Sequence, residues 1–289
     1  WWRQLEAGVV TWTDVGAALD QIKAELGVNT IRVLTYYDHT FRNSAGVDVW
    51  WTDGLGNHND LYRGYLSTFI DMCADRGLDV IVTMYQLLPA LLSTDDWSFL
   101  EDDIAHYESF HSWILTLLAT KSNCRVYNII NEPDGYGVWN DATLAGRVLT
   151  FLSRLKTVGK NVAPRLQAMV NTSTHDNNFR RFPGAPPGRN SVYELTDILA
   201  LNTFLWADTG YWAGQCYRTQ SDYLNTKNVA RKPVIMTECG HPSHYAQQGV
   251  AGYPIIDEDG TPTGGNVVTT EESIVPQGGI FDRPKGVVT

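Results

Sequence analysis

Two stretches, RVYNIINEPD at Arg125–Asp134 and PVIMTECGH at Pro233–His241, decide the fold of this chain. Each contains a run of apolar, mostly branched residues, which is typical of a strand buried on both faces of a parallel sheet. Each run ends in a carboxylate, Glu132 in the first and Glu238 in the second. Residues at the carboxyl ends of parallel strands line the sites of α/β barrels. The two stretches therefore predict two acids that face one cavity.

Similar strands recur along the chain and alternate with helices. Four more strands are predicted, at Val28–Thr35, Leu78–Met84, Arg165–Asn171 and Asp197–Asn202. Apolar residues at helical spacing predict helices at 13–26, 60–76, 102–120, 143–158 and 221–230. This alternation favours a parallel sheet, and the even spacing favours a barrel over an open sheet. No glycine-rich phosphate motif follows any strand, which disfavours a dinucleotide-binding fold. We therefore predict an α/β protein with a (β/α)8 TIM barrel.

The barrel pattern is weakest at the two ends of the chain. Only Gly8–Trp12 offers a first strand, and only Gly279–Phe281 suggests an eighth. We predict a single catalytic barrel domain over residues 1–289, degenerate or truncated at its first and last strands. Its C-terminal segment, 242–289, is rich in Gly and Pro and is expected to be irregular, with a hairpin-like stretch at Ile255–Thr261. Because an unclosed barrel would expose strand edges, the oligomeric state is left open.

Composition excludes several classes of partner. The formal net charge is −10 and the pI is about 5.1, and no basic stripe appears, so nucleic acid and membrane partners are not expected. The four cysteines lack the paired spacing of a zinc site, and no His-x-His motif or carboxylate cluster marks one strand end. We therefore expect neither a metal nor a cofactor. The chain begins at Trp1, as a processed, trimmed or partial product would, and an extracellular or periplasmic location is expected.

The Asn131–Pro133 triplet (NEP) together with Glu238 resembles a known pattern. It is similar to that of the retaining glycoside hydrolases that share a (β/α)8 barrel, a clan that includes cellulase, mannanase and β-glucosidase families, and the chain is family 5-like. The resemblance implies that Glu132, on the fourth strand, is the general acid/base and that Glu238, on the seventh, is the nucleophile. It also implies that Asn131 binds the sugar 2-hydroxyl and that Arg32, on the second strand, contacts the nucleophile.

The chemistry of two carboxylates agrees with these implied roles. Retention of configuration requires two carboxyl groups about 5–5.5 Å apart, one attacking the anomeric carbon while the other protonates the leaving oxygen. One must be ionised and the other protonated near neutral pH. We therefore predict a retaining β-glycoside hydrolase that cleaves a β-linked oligo- or polysaccharide by double displacement, with Glu132 and Glu238 in these two roles.

Further residues near predicted strand ends are candidates for binding the carbohydrate. They are Tyr85, Trp139, His175, Asn202 and Trp206. Flat aromatic rings suit the C–H faces of sugars, although core packing explains any one of these aromatic residues equally well. A buried arginine such as Arg32 needs a partner, and it serves structure or catalysis through the same contact.

The sequence also departs from the clan. Many members carry His-x-Tyr or Asn-x-Tyr at the end of the sixth strand, where this chain has Asn202–Phe204 (NTF), without an aromatic hydroxyl. Two alternatives stay open. The first is a transglycosylase of the same clan, in which a sugar hydroxyl replaces water as the acceptor. The second is a catalytically silent carbohydrate-binding barrel.

Overall fold

The computed structural model of the chain describes residues 2–35, 58–85, 97–172, 175–204, 232–240, 254–256 and 262–266. The helices are α1 (Trp2–Glu6), α2 (Trp12–Leu26), α3 (Asp60–Asp75), α4 (Phe99–Asp102), α5 (Ile104–Leu118), a 3-10 helix (Gly135–Asn140), α6 (Ala142–Val162), α7 (His175–Phe179) and α8 (Val192–Leu195). The strands are β1 (Thr30–Leu34), β2 (Asp79–Tyr85), β3 (Val126–Asn131), β4 (Gln167–Thr172), β5 (Ile198–Phe204), β6 (Val234–Gly240), β7 (Pro254–Ile256) and β8 (Pro262–Asn266).

The six strands β1 to β6 form one parallel sheet in which spatial order follows chain order. They coincide with the six predicted strands, so the prediction of an α/β protein with a parallel sheet is confirmed. A parallel sheet in which spatial neighbours are consecutive in the chain is the arrangement of a barrel wall, because each connection brings the chain to the next position around the sheet. The strands β7 and β8 pair antiparallel, in agreement with the hairpin predicted near Ile255–Thr261.

The sheet has apolar side chains on both faces. Its outer face packs against α3, α5 and α6 in the main core, which includes Leu66, Phe110 and Leu149. Among the described residues, a smaller cluster is formed by strand residues: Ile81, Met169, Ile198 and Ala200, with Val126 and Ile235 packed against them. Strand side chains that fill the inside of the sheet without a covering helix are a feature of barrel interiors.

The sheet is also curved towards this inner face. Arg32 on β1 reaches Asn171 on β4, with an Nη2–Oδ1 distance of 3.4 Å, although β2 and β3 lie between them. In a flat sheet, positions three strands apart are separated by about 14 Å and their side chains project side by side. A contact across three strand spacings therefore requires the bend of a barrel wall.

Two lysines hold the beginnings of β5 and β6. Lys156, on α6, is buried and its Nζ donates to Oδ1 of Asp197 at 2.7 Å, immediately before β5. Lys232, which precedes β6, donates to the backbone carbonyls of Tyr193 and Thr196 and lies 4.4 Å from the centre of the Tyr193 ring. These bonds satisfy carbonyl groups at the end of α8, which has no further helical turn to pair them.

The predicted first strand at Gly8–Trp12 is wrong. Gly8 lies in a turn with φ of 67°, and Trp12 is the first residue of α2. Thr11 and Asp14 explain this start, because they form a capping box: the Asp14 N–H donates to Oγ1 of Thr11 at 3.3 Å, and the Thr11 N–H donates to Oδ2 of Asp14 at 2.8 Å. The predicted eighth strand at Gly279–Phe281 and the predicted helix at 221–230 lie outside the described residues.

The sequence pattern predicts that Gly159 ends its helix. In the structure Gly159 lies inside α6 instead. A Cβ atom at this position would overlap the hydroxyl of Tyr127 and lie 2.9 Å from its Cζ. Tyr127, on β3, is 1% exposed, so its ring has no space into which to move. Glycine is therefore present because β3 and α6 approach closely at this point.

No helix in the described part of the chain is both long and apolar enough to cross a membrane.

We predict that Gly159→Ala lowers the free energy of unfolding by about 1–3 kcal/mol, because it overfills the contact between α6 and β3. Gly64→Ala on α3 is the matched control: its Cβ would meet nothing within 4 Å, and we expect roughly 0.5–1 kcal/mol of stabilisation from helix propensity. Urea unfolding of both variants measures the difference. Adding Tyr127→Phe should recover part of the loss in Gly159→Ala, and equal stabilities of the two alanine variants would contradict the explanation.

Candidate active site

The pairing of β3 with β4 is irregular just before Glu132. Asn128 is opposite Met169 and Asn131 is opposite Asn171, so three steps on β3 match two steps on β4. Regular alternation would place Asn128 and Asn131 on opposite faces of the sheet. The extra residue of this bulge brings both amides to the inner face, where each contacts Asn171.

Glu132 follows the bulge directly, and its backbone is strained. Its φ angle is 45°, and it is the one non-glycine residue with a positive φ in the described ranges. Such a conformation costs about 1–3 kcal/mol and is concentrated at functional sites. The Glu132 N–H donates to the backbone carbonyl of Asn171 at 2.9 Å, which stabilises this geometry.

Arg32 is the centre of the polar network on the inner face. The residue is 2% exposed. Its Nε donates to Oγ1 of Thr83 at 2.7 Å, and its Nη2 donates to Oδ1 of Asn131 at 2.7 Å and to Oδ1 of Asn171 at 3.4 Å. A guanidinium group has only donors, so each of these partners must present an oxygen.

The remaining bonds of the network join these partners to one another. Asn171 Nδ2 donates to Oδ1 of Asn131 at 2.6 Å. Asn128 Nδ2 donates to Oδ1 of Asn171, and to Oγ1 of Thr83 at 3.3 Å. The Asn131 carbonyl therefore accepts from two donors on two different strands. An amide whose Oδ1 is held in this way has a fixed orientation, and its N–H donors, on Nδ2, point away from Arg32.

Glu238 lies on β6 at the same edge of the sheet as Glu132, because all six strands are parallel. Here too the register is irregular: Leu201 is opposite Met236, whereas Asn202 is opposite Glu238. The extra residue is on β6, immediately before the acid. The side chains of Glu238 and Asn202 are outside the described part of the chain. Their separation from Glu132, and the contact between Arg32 and the nucleophile, stay predictions.

Tyr85 and Trp139, predicted to bind substrate, lie in the core. Each is 2% exposed. Tyr85 Oη donates to the Tyr107 carbonyl at 2.9 Å, and its ring stacks at 6.1 Å on His111, whose pKa is lowered by burial to about 3. Trp139 meets the ring of Phe182 edge-on at 5.3 Å. Neither ring has an open face for a sugar, which corrects the prediction in favour of core packing.

The other predicted binding residues are only partly described. His175 begins α7, directly beyond the end of β4, but its side chain is not among the described ones. Trp206 lies outside the described residues. The structure therefore brings together Arg32, Asn131 and the backbone of Glu132. Within the described ranges, no group of three His, Cys, Asp or Glu side chains is arranged to hold a metal ion.

Three network residues, Thr83, Asn128 and Asn171, were not predicted from the sequence. A signal for two of them exists. Asn128 interrupts the apolar run VYNII, as Arg32 interrupts its own strand, and Asn171 ends its strand in the same way that Asn131 does. A polar residue within a buried strand requires a hydrogen-bonding partner. Asn128 and Asn171 could therefore have been proposed as partners of Arg32 and Asn131. Thr83 carries no such signal, because threonine is an ordinary strand residue.

The family assignment follows from comparison with known proteins. The chain matches the family model for cellulase, glycosyl hydrolase family 5, over residues 2–260. It belongs to glycosyl hydrolase family 5. This assignment, with the sequential parallel sheet, confirms the predicted family 5-like resemblance and the barrel fold class. No curated protein sequence matches the chain.

Solved structures share the fold of this family 5 chain at low sequence identity. An exo-β-1,4-mannosidase, Op5Man5 from Opitutaceae bacterium strain TAV5, has a TM-score of 0.57 at 18% identity, covering 84% of this chain and 44% of that one. A Bacteroides uniformis β-glucuronidase has a TM-score of 0.54 at 14% identity, covering 81% and 23%. A GH5_18 protein from Bifidobacterium longum subsp. infantis has a TM-score of 0.50 at 16% identity, covering 71% and 47%. The chain thus spans less than half the length of each of these proteins.

We predict that Thr83→Val lowers the free energy of unfolding by about 1–3 kcal/mol, because it leaves the buried Nε of Arg32 without its acceptor. The change keeps the shape of the side chain, so packing is little altered. Thr68→Val on α3 is the control: Thr68 is exposed and its hydroxyl donates to the Gly64 carbonyl at 3.1 Å. We expect that control to change stability by less than about 0.5 kcal/mol. Urea denaturation gives both values, and similar values for the two would show that Arg32 does not depend on Thr83.

Proposed function

We propose that this family 5 chain is a retaining β-glycoside hydrolase in which Glu132 is the general acid/base and Glu238 the nucleophile. The proposal depends chiefly on one observation: both glutamates stand at the carboxyl edge of the same curved parallel sheet. In α/β barrels this edge carries the catalytic groups. The substrate is a β-linked oligo- or polysaccharide. An enzyme encounters a polymer of this kind outside the cytoplasm, so we propose an extracellular or periplasmic location.

The proposed reaction has two steps. The Glu238 carboxylate attacks the anomeric carbon, the bond to the leaving oxygen breaks, and Glu132 gives its proton to that oxygen. A water molecule then attacks the same carbon, Glu132 takes one of its protons, and the bond to Glu238 breaks. Two inversions return the original configuration. Interception of the intermediate by a sugar hydroxyl instead of water would make the protein a transglycosylase.

The network on the inner face supports this proposal. Arg32, Asn131 and Asn171 are buried and bonded to one another, so their side chains are positioned before a substrate arrives. Preorganised donors stabilise developing charge without the cost of reorienting during the reaction. Asn131 is adjacent to Glu132, and we assign its amide to the sugar 2-hydroxyl, where hydrogen bonds strengthen in the transition state.

A panel of aryl β-glycosides and β-linked oligosaccharides tests the activity. We predict that Glu238→Gln abolishes turnover and that Glu132→Gln lowers kcat by about 10²–10⁴-fold on oligosaccharides. The loss in Glu132→Gln should be smaller with dinitrophenyl leaving groups, because they depart without protonation. Glu25→Gln, on the exposed side of α2, is the isosteric control and should retain full activity.

Labelling with a 2-fluoro glycoside, followed by peptide mapping, identifies the nucleophile. A label on Glu238 supports the assignment. Near-normal hydrolysis by Glu238→Gln, or a label on another residue, would contradict it. Calorimetric sugar binding without any release of reducing ends would favour the silent carbohydrate-binding barrel, an alternative motivated by the missing aromatic hydroxyl in Asn202–Phe204. Mass spectrometry of the products separates hydrolysis from transglycosylation.

A further inference from the structure

We propose that Asn171 is a positioning residue that fixes the Asn131 amide and the Glu132 backbone together. This inference rests on the proposed glycosidase function and assigns a role to a residue that contributes no reacting group. Asn171 lies on β4, the strand that is paired with the Glu132 strand. Its side chain is fully buried.

Asn171 makes one bond to each of two consecutive residues. Its backbone carbonyl accepts the N–H of Glu132 at 2.9 Å, and its Nδ2 donates to Oδ1 of Asn131 at 2.6 Å. The first bond holds the peptide that carries the strained φ of Glu132. The second holds the amide that we assign to the sugar. A single residue therefore sets the relative position of the acid/base and of the 2-hydroxyl contact.

The orientation of both amides follows from the donor-only character of Arg32. Its Nη2 lies within hydrogen-bonding distance of Oδ1 of both Asn131 and Asn171, so neither amide can turn its nitrogen towards the guanidinium. With its oxygen on Arg32, Asn171 must direct its nitrogen elsewhere, and that nitrogen is the second donor to Asn131. Consequently the part of the Asn131 amide that we assign to the substrate is its Nδ2, with N–H donors, and not its Oδ1.

Asn171→Asp tests this relay because it keeps the shape of the side chain and replaces the Nδ2 donor with a carboxylate oxygen. One carboxylate oxygen can still accept from Arg32 and Asn128. The other would face Oδ1 of Asn131, and two acceptors repel unless the Asn131 amide turns over. The turned amide would take its donors away from the sugar 2-hydroxyl and place N–H groups against Arg32. The variant should fold, because a carboxylate next to a buried guanidinium is favourable.

The measurement is the ratio of kcat/KM for an aryl β-glycoside to that for its 2-deoxy analogue. In the wild type this ratio reports the 2-hydroxyl contact. We predict that Asn171→Asp lowers the ratio by roughly tenfold, the loss expected for one hydrogen bond, and that the decrease is mainly in kcat because this contact strengthens in the transition state. Both rates come from one preparation, so the fraction of folded enzyme cancels.

Asn178→Asp is the matched control. Asn178 is a buried asparagine on α7, and its Nδ2 donates to Oγ1 of Thr172, the last residue of β4. No bond joins Asn178 to Asn131 or Glu132. It should lower stability without changing the ratio. If Asn171→Asp fails to fold, Asn171→Ala removes the same donor without adding a charge, and we predict a smaller decrease of the ratio because Arg32 still holds Asn131.

The outcomes separate the two proposals. Hydrolysis by the wild type with an unchanged ratio in the Asn171 variants would overturn the positioning role and leave the proposed function intact. Equal decreases in the Asn171 and Asn178 variants would show a general effect of a buried carboxylate and would also overturn it. Absence of hydrolysis in the wild type on the whole glycoside panel would overturn the proposed function, and the positioning role with it.

Discussion

The buried guanidinium of Arg32 is the constraint on which the inner face depends. A charged group with donors only, removed from water, must be surrounded by acceptors or its burial is prohibitively unfavourable. Among the residues that the structure describes, three other strands supply side-chain acceptors: Thr83 from β2, Asn131 from β3 and Asn171 from β4. Bringing these oxygens to one point requires the sheet to curve. The curvature that closes a barrel wall and the polarity of its interior are therefore consequences of the same requirement.

The amides around Arg32 also explain why this interior is polar near the carboxyl edge and apolar below it. Ile81, Met169 and Ile198 form the lower layer, in which no hydrogen bonds are needed. Above it, each of the three asparagine amides makes at least two bonds within the network, and Asn171 both accepts and donates, so the network continues from strand to strand. A chain of this kind is rigid, because rotation of one amide breaks two bonds. Rigidity of this kind suits a site that has to hold a reacting group in place.

Irregular pairing precedes both acids. On β3 the extra residue lies between Asn128 and Asn131, and on β6 it lies immediately before Glu238. A bulge changes the phase of alternation, so it re-aims the residues that follow it. At Glu132 the backbone also adopts a positive φ, which residues other than glycine rarely adopt. Bulges and strain are therefore concentrated where the proposed chemistry takes place, whereas β1 and β2 pair without interruption.

The sequence by itself determined the six strands, their parallel order and the positions of both acids, because branched apolar runs and turn residues act over a few neighbouring positions. Only the tertiary structure decided what those strands meet. Arg32 and Asn171 are 139 positions apart in the chain, and no local pattern records that they touch. Gly159 looks like a helix end until the Tyr127 ring is placed against it. Tyr85 looks like a cleft residue until α5 covers it. Local periodicity fixes an element, whereas the partner of a buried group depends on how distant elements pack, and packing is settled only when the whole sheet has curved.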